Sequence, residues 1–200
     1  MTAATTTRPA AGGHRARLTG GLASAIAEKG YAAATIADVA RFARVSKRTF
    51  YEHFADKESC FLTLYAETSD ELLALIRTAA EDGGRSWDAR LQAATRAYFE
   101  RVAGEPELIR AAMLEIQAAG PRARELRREV QRRYAEQLRA LSLAAAEEDA
   151  EVSALTPALA TAVVGGLNEL MLEAVEAGKA ARMGDLAAAA SELIRAVLAR

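Results

Sequence analysis

Cysteine, histidine and tryptophan are nearly missing from these 200 residues, which hold one Cys, two His and one Trp. A single cysteine excludes an intramolecular disulfide, and Cys60 with His14 and His53 makes no cluster at metal-ligand spacing. No glycine-rich phosphate loop follows a strand, and no nucleophile has an evident base partner. Glu115 and Glu169 could pair as carboxylates, but nothing singles them out. The pattern names no catalytic residue, no metal and no cofactor, so an enzyme is not expected. Long apolar runs are lacking as well. Even Thr156 to Val175 carries Asn168, Glu169 and Glu173, and the opening MTAATTTRPAAGGHR has no apolar stretch. Neither a membrane span nor a secretory signal is therefore expected, and the protein is placed in the cytoplasm.

What is present is an apolar content of 51%, in the globular range, with charge divided unevenly along the chain. Residues 1–57 hold nine Lys/Arg against four Asp/Glu, a net of +5, while residues 58–200 carry a net of −6; the overall −1 conceals a basic end. Such a footprint suits a nucleic-acid reader whose other part stays off the duplex.

The basic end contains the most informative stretch, Thr35 to Lys57, TIADVARFARVSKRTFYEHFADK. Ile36, Val39, Ala40 and Ala43 recur at helical spacing behind Thr35 as N-cap. Arg44 and Val45 interrupt, Ser46 caps a second helix of about two turns, and Phe50 and Phe54 anchor it to the first. The opposite face is left with Lys47, Arg48, Thr49, Tyr51 and His53. Cations neutralise phosphates, hydroxyls donate to phosphate oxygens, and an Arg can grip guanine bidentately. The pattern is a helix-turn-helix with a reading helix, against the alternative of a solvated helix that reads nothing.

Residues Arg17 to Phe61 resemble the DNA-binding domain of the TetR family of bacterial transcriptional regulators. The matching features are the Leu18, Leu22, Ile26 stripe, Gly30-Tyr31, Thr35, Val39-Ala40, Ala43, Val45-Ser46, Thr49-Phe50-Tyr51, His53-Phe54 and Lys57-Glu58. The resemblance implies that Thr35 and Ser46 cap helices against phosphates, that Lys47, Arg48 and Thr49 face bases or nearby phosphates, and that Tyr51, His53 and Lys57 clamp the DNA backbone. Three positions depart from it. Arg44 stands where a turn glycine is usual, so either the turn is altered or Arg44 accepts left-handed strain and points toward DNA. Arg48 replaces a small residue and adds a base-reading cation. Cys60 replaces a leucine and reads as a buried small hydrophobe, with a redox sensor as the alternative. Arg8, Arg15 and Arg17, in or near a flexible arm, could reach a minor groove, against the alternative of a merely disordered tail.

Beyond Lys57 the chain reads as helices separated by breakers, so the fold class is all-α with about nine helices. The expected organisation is an arm over 1–14, a helix-turn-helix domain over 15–57 and a larger helical domain over 58–200. Asp56 opens a long fourth helix ending near Asp82. A fifth runs from Ser86 to Val102, a sixth from Pro106 to Ala118, and a seventh from Pro121 to Ala146 with Glu125–Arg128 and Glu129–Arg133 pairs on its wet face. Glu147 to Glu151 reads as a loop. Thr156-Pro157 starts the eighth and Asp185 the ninth.

The last two helices carry Leu159, Val163, Gly166, Leu167, Leu170, Met171, Leu186, Ala190, Leu193 and Val197 in phase. Family resemblance implies that these pair with a second subunit as a four-helix bundle, and a homodimer is what a palindromic operator needs. Gly165 and Gly166 in mid-helix suggest a compensating close backbone approach. The resemblance also implies a cavity for a small-molecule effector, with Tyr65, Trp87, Tyr98, Phe99, Met113, Gln117, Tyr134 and Asn168 as candidate lining residues. The reading is a ligand-relieved repressor. Its alternative is a helical interaction or sensing protein of the same fold that does not read DNA.

Overall fold

The computed structural model describes residues 11–118 and 120–199, without the side-chain surroundings of 11, 12, 117 and 118. Nine α-helices are formed among the described residues: α1 (Ala11–Ala33), α2 (Ile36–Ala43), α3 (Lys47–His53), α4 (Lys57–Asp82), α5 (Trp87–Ala103), α6 (Pro106–Ala118), α7 (Gly120–Glu148), α8 (Pro157–Glu176) and α9 (Leu186–Leu198). The only strand-like pairing among them is an isolated bridge between Val152 and Ala199. The chain divides into two compact units, one ending at Leu64 and one starting at Tyr65, so the division falls inside α4.

The first unit is built on α1, α2, α3 and the opening turns of α4. Leu18, Leu22 and Ile26 recur at helical spacing on α1 and are wholly buried with Val39, Phe50 and Phe61. Each such side chain contributes about 1.5–3 kcal/mol by leaving water. The helices come close because α1 has glycine at the crossing: a Cβ on Gly21 would lie 2.7 Å from the Val39 carbonyl oxygen. Local signals set the helix ends. Thr35 accepts from the Asp38 amide while the Asp38 carboxylate accepts from the Thr35 amide, a reciprocal capping box. Ser46 caps α3 through the Thr49 amide, and Asp56 caps α4 through the Ser59 amide.

The second unit packs α5 through α9 around two apolar clusters. One contains Val152, Leu155, Val163, Ile194 and Leu198, the other Leu72, Phe99, Val102, Ile109, Met171, Val175 and Met183. Polar links register the helices. The Arg195 guanidinium donates twice to Asp88, at 2.8 and 2.6 Å, and the Thr95 and Ser191 hydroxyls meet at 2.7 Å, so α9 is tied to α5. The Trp87 indole N–H donates to Asp149 at 3.0 Å.

Several expectations are corrected. α1 begins at Ala11, inside the stretch read as an arm; Arg8 lies outside the described residues. α7 continues to Glu148 through the stretch taken for a loop. Its surface pairs are not those expected: Arg132 joins Glu129 and Glu136, and Arg133 reaches Asp70 on α4. Asp185 does not cap α9 with its side chain, because a 3-10 helix over Ala180–Asp185 runs directly into it. α8 proves long and apolar enough to cross a membrane by length and composition, its glutamates notwithstanding.

Candidate nucleic-acid interface and effector cavity

The turn between α2 and α3 is held by backbone and by one arginine. The Arg44 amide donates to the Arg41 carbonyl and the Val45 amide to the Ala40 carbonyl, the double closure of a helix end that requires a left-handed residue between them. Arg44 supplies that residue at φ 53°, ψ 48°, the only non-glycine with positive φ among the described residues. Arg44 thus accepts the left-handed strain. Arg17 steadies it by donating to the Ala43 and Arg44 carbonyl oxygens at 2.5 and 2.9 Å. Arg15 donates to Thr63 and lies over the Phe54 ring. Two of the three arginines considered for a minor groove thus have intramolecular tasks.

α3 then presents its outer face. Lys47, Arg48 and Tyr51 are exposed, and Thr49 and His53 are half-buried, while Phe50 and Phe54 are buried beneath them. The Arg48 side chain is 90% exposed and, among the described residues, its ion pair is with Glu52, at 3.2 Å, a surface pair worth about 0.3–0.5 kcal/mol. Trading it for a nucleic-acid contact therefore costs little. Tyr51 meets Phe50 edge to face, and the His53 ring meets His14 at 5.9 Å. The capping hydroxyls of Thr35 and Ser46 are engaged within their own turns.

Lys57 is placed differently from its expected clamp on the DNA backbone. Its ammonium donates to the Tyr31 and Ala34 carbonyl oxygens, at 2.8 and 2.9 Å, and lies over the Tyr31 ring. A cation there satisfies carbonyls that the end of α1 leaves open. Below the turn, Asp38 accepts from Thr35 and Lys29, and these hydrogen bonds hold its carboxyl well below the ordinary 3.8. Cys60 is buried, its thiol facing the Leu18 carbonyl, as a small hydrophobe would be.

A cavity of about 250 Å³ opens in the second unit. Of the expected lining residues Tyr65, Met113 and Asn168 do line it. Trp87, Tyr98, Phe99 and Tyr134 belong to the packed interior instead: Phe99 is 1% exposed, and the Tyr98 hydroxyl donates to the Met171 sulfur. Burial drives the Tyr98 and Tyr134 hydroxyls far above their ordinary range. The Gln117 side chain lies outside the described residues. Sequence reasoning missed Arg127, Gln131, Gly165 and Glu169 in the lining. Their signal was present as spacing, since 127 and 131 share one face of α7 and 165, 168, 169 and 172 one face of α8. The Tyr65 hydroxyl is pushed up to about 12 by burial, with the nearby Arg127 charge acting the other way.

Of the expected dimer face, Val163, Met171 and Ala190 are consumed by the protomer's own core, at 4, 2 and 0% exposure. Leu159 is exposed, and Gly166, Leu167, Leu170, Leu186, Leu193 and Val197 are half-buried. No close backbone approach accounts for the paired glycines within the protomer. A Cβ on Gly166 would meet only Leu193, at 3.7 Å, and one on Gly165 nothing within 4 Å.

Comparison with known proteins agrees with this geometry. Residues 22–64 match the family described as bacterial regulatory proteins, tetR family. Among curated proteins nothing matches. Solved structures share the fold. The fatty acid degradation regulator FadR from Bacillus halodurans is 22% identical, with TM-score 0.74 over 90% of this chain and 96% of its own. FadR from Bacillus subtilis, in complex with stearoyl-CoA, is 19% identical with the same TM-score and coverage. A TetR-family transcriptional regulator from Pectobacterium atrosepticum is 23% identical, with TM-score 0.74 over 96% of this chain and 97% of its own. The helix-turn-helix over residues 22–64 thus matches the tetR family of bacterial regulatory proteins, and the chain as a whole shares the fold of solved transcriptional regulators.

Proposed function

We propose that the protein is a homodimeric repressor that acts in the cytoplasm and leaves a palindromic operator when a small molecule occupies the cavity of the second unit. The observation that carries the DNA contact is the outer face of α3, where Lys47, Arg48 and Tyr51 are exposed with no core duty. Lys47, Arg48 and Thr49 would meet bases and nearby phosphates, and Tyr51, His53 and Arg44 the backbone. Lys57 serves instead as a strut under α1.

Dimerisation through α8 and α9 is supported by the apolar surface they leave uncovered. The 18-residue window of α8 has mean hydropathy 1.4, yet only 22% of it is buried within the chain. Leu159, Gly166, Leu170 and Leu193 would form the seam, and a twofold axis would set two reading helices at one fixed separation. Ligand relief is supported by the cavity. An effector shifts the population only as far as it prefers the conformer that does not fit the operator.

The test is selection of random double-stranded DNA by the purified protein at physiological salt, where nonspecific binding is weak. An enriched palindrome is expected, with a guanine within reach of Arg48. An enriched single half-site would overturn the dimer, and no enrichment would overturn the reading of DNA by the free protein.

A further inference from the structure

The cavity has a chemistry more specific than apolar bulk. Arg127 and Gln131 project from α7, Asn168 and Glu169 from α8, and Tyr65 from α4. Arg127 is half-buried, and among the described residues no carboxylate pairs with it. Among the described residues no cation pairs with Glu169 either. A partly desolvated guanidinium without a counter-ion is a vacancy for an anion, because its charge has lost water without gaining a partner. The Tyr65 hydroxyl stays protonated at neutral pH and can donate to the same anion. Glu169, at the exposed rim, offers the opposite sign.

Size narrows the ligand further. At about 250 Å³ the cavity is small. The cavity falls short of the usual range of about 300–1,000 Å³ for larger ligands. Gly165 keeps its entrance clear, since no atom lies within 4 Å of the position a Cβ would take.

We propose that this cavity binds a compact amphoteric molecule, with an anionic group against Arg127 and Tyr65 and a hydroxyl or amine donor against Glu169, and that it excludes long acyl chains. The assignment rests on the proposed effector role of the cavity and names the class of effector. Gln131 and Asn168 fix the ligand's middle through amide hydrogen bonds. The B. subtilis FadR of the same fold was solved with stearoyl-CoA, which makes that long acyl chain the contrasting ligand for the test.

Calorimetric titration of the whole protein decides it, using compact carboxylic acids with a distal hydroxyl or amine, the methyl ester of each acid, and stearoyl-CoA. At least one free acid is expected to bind, its ester at least about tenfold more weakly because the charge-assisted contact is lost. Arg127→Gln should weaken the acid by a similar factor, and Arg128→Gln, on the exposed neighbour, should leave it unchanged. Glu169→Gln should weaken amine-bearing acids more than hydroxyl-bearing ones, and Gly165→Leu should block them all. Binding of no acid, equal binding of acid and ester, or tight binding of stearoyl-CoA that ignores Arg127→Gln would overturn the proposal. Operator release is measured separately. An acid that binds without releasing DNA leaves this assignment standing and removes the ligand-relief reading, whereas release by the esters or by stearoyl-CoA alone does the reverse.

Discussion

Arg44 carries the sharpest conflict between local preference and retained residue. A side chain at φ 53° costs about 1 kcal/mol more than glycine would, and Arg17 adds hydrogen bonds that hold the strained turn in place. Arg44→Gly should therefore raise resistance to denaturant by about 1 kcal/mol while weakening DNA binding, as read by equilibrium unfolding and fluorescence anisotropy side by side. A variant that is both more stable and equally tight would show that Arg44 has no contact to DNA. Arg48, paired with Glu52, should behave oppositely: Arg48→Ala leaves stability within about 0.5 kcal/mol and removes about 1–3 kcal/mol of discrimination at one guanine. Equal losses on operator and random DNA would remove its reading role. Lys57 shows where residue-level reading stops short. A lysine that clamps a phosphate and one that caps a helix end satisfy the same requirement, a cation near oxygen, and only the position of the α1 carbonyls distinguishes them.

At the scale of elements, α2 and α3 were legible to the residue because their ends are decided by neighbours three positions away. Thr35 and Asp38, and Ser46 and Thr49, close their turns without help from elsewhere. The Asp38 carboxyl titrates below its ordinary 3.8, so its stabilising contribution is complete above about pH 4 and is lost as pH falls through the lowered value. Asp38→Asn should flatten the acid-side loss of protection in α2, measured by hydrogen exchange from pH 5 downward; identical acid profiles would mean that the capping box does not carry that dependence. The crossing of α1 and α2 depends on Gly21. Gly21→Ala should cost about 1–3 kcal/mol, since the methyl meets backbone, which cannot rotate away. A neutral change in thermal unfolding would mean that the helices part easily. α7 was less legible. Its glutamates and arginines offer several pairings of equal merit in sequence, and Asp70 on another helix takes Arg133.

For the whole molecule the uncovered face of α8 and α9 matters most. Leu159 is 44% exposed, so Leu159→Glu should leave protomer stability nearly unchanged while burying an unpaired charge in any dimer seam. Light scattering should report a monomer for the variant and a dimer for the parent, with helix content unchanged by circular dichroism. A parent that is monomeric at micromolar concentration would remove the seam and, with it, the palindromic operator.

The sequence by itself determined the all-α class, the reading head and nearly every helix start, because caps, turn residues and helical spacing act over three or four positions and leave their mark in order along the chain. It also determined that α8 and α9 are apolar. Which of their residues face inward is not written in their polarity and was decided only by tertiary structure: Val163 and Met171 vanish into the core while Leu159 stays exposed, although all three are apolar. The cavity was decided in the same way. Tyr98 and Tyr65 look alike in sequence, yet one bonds to Met171 in the interior and the other meets Arg127 at the cavity, since a void is made by what several distant helices fail to fill.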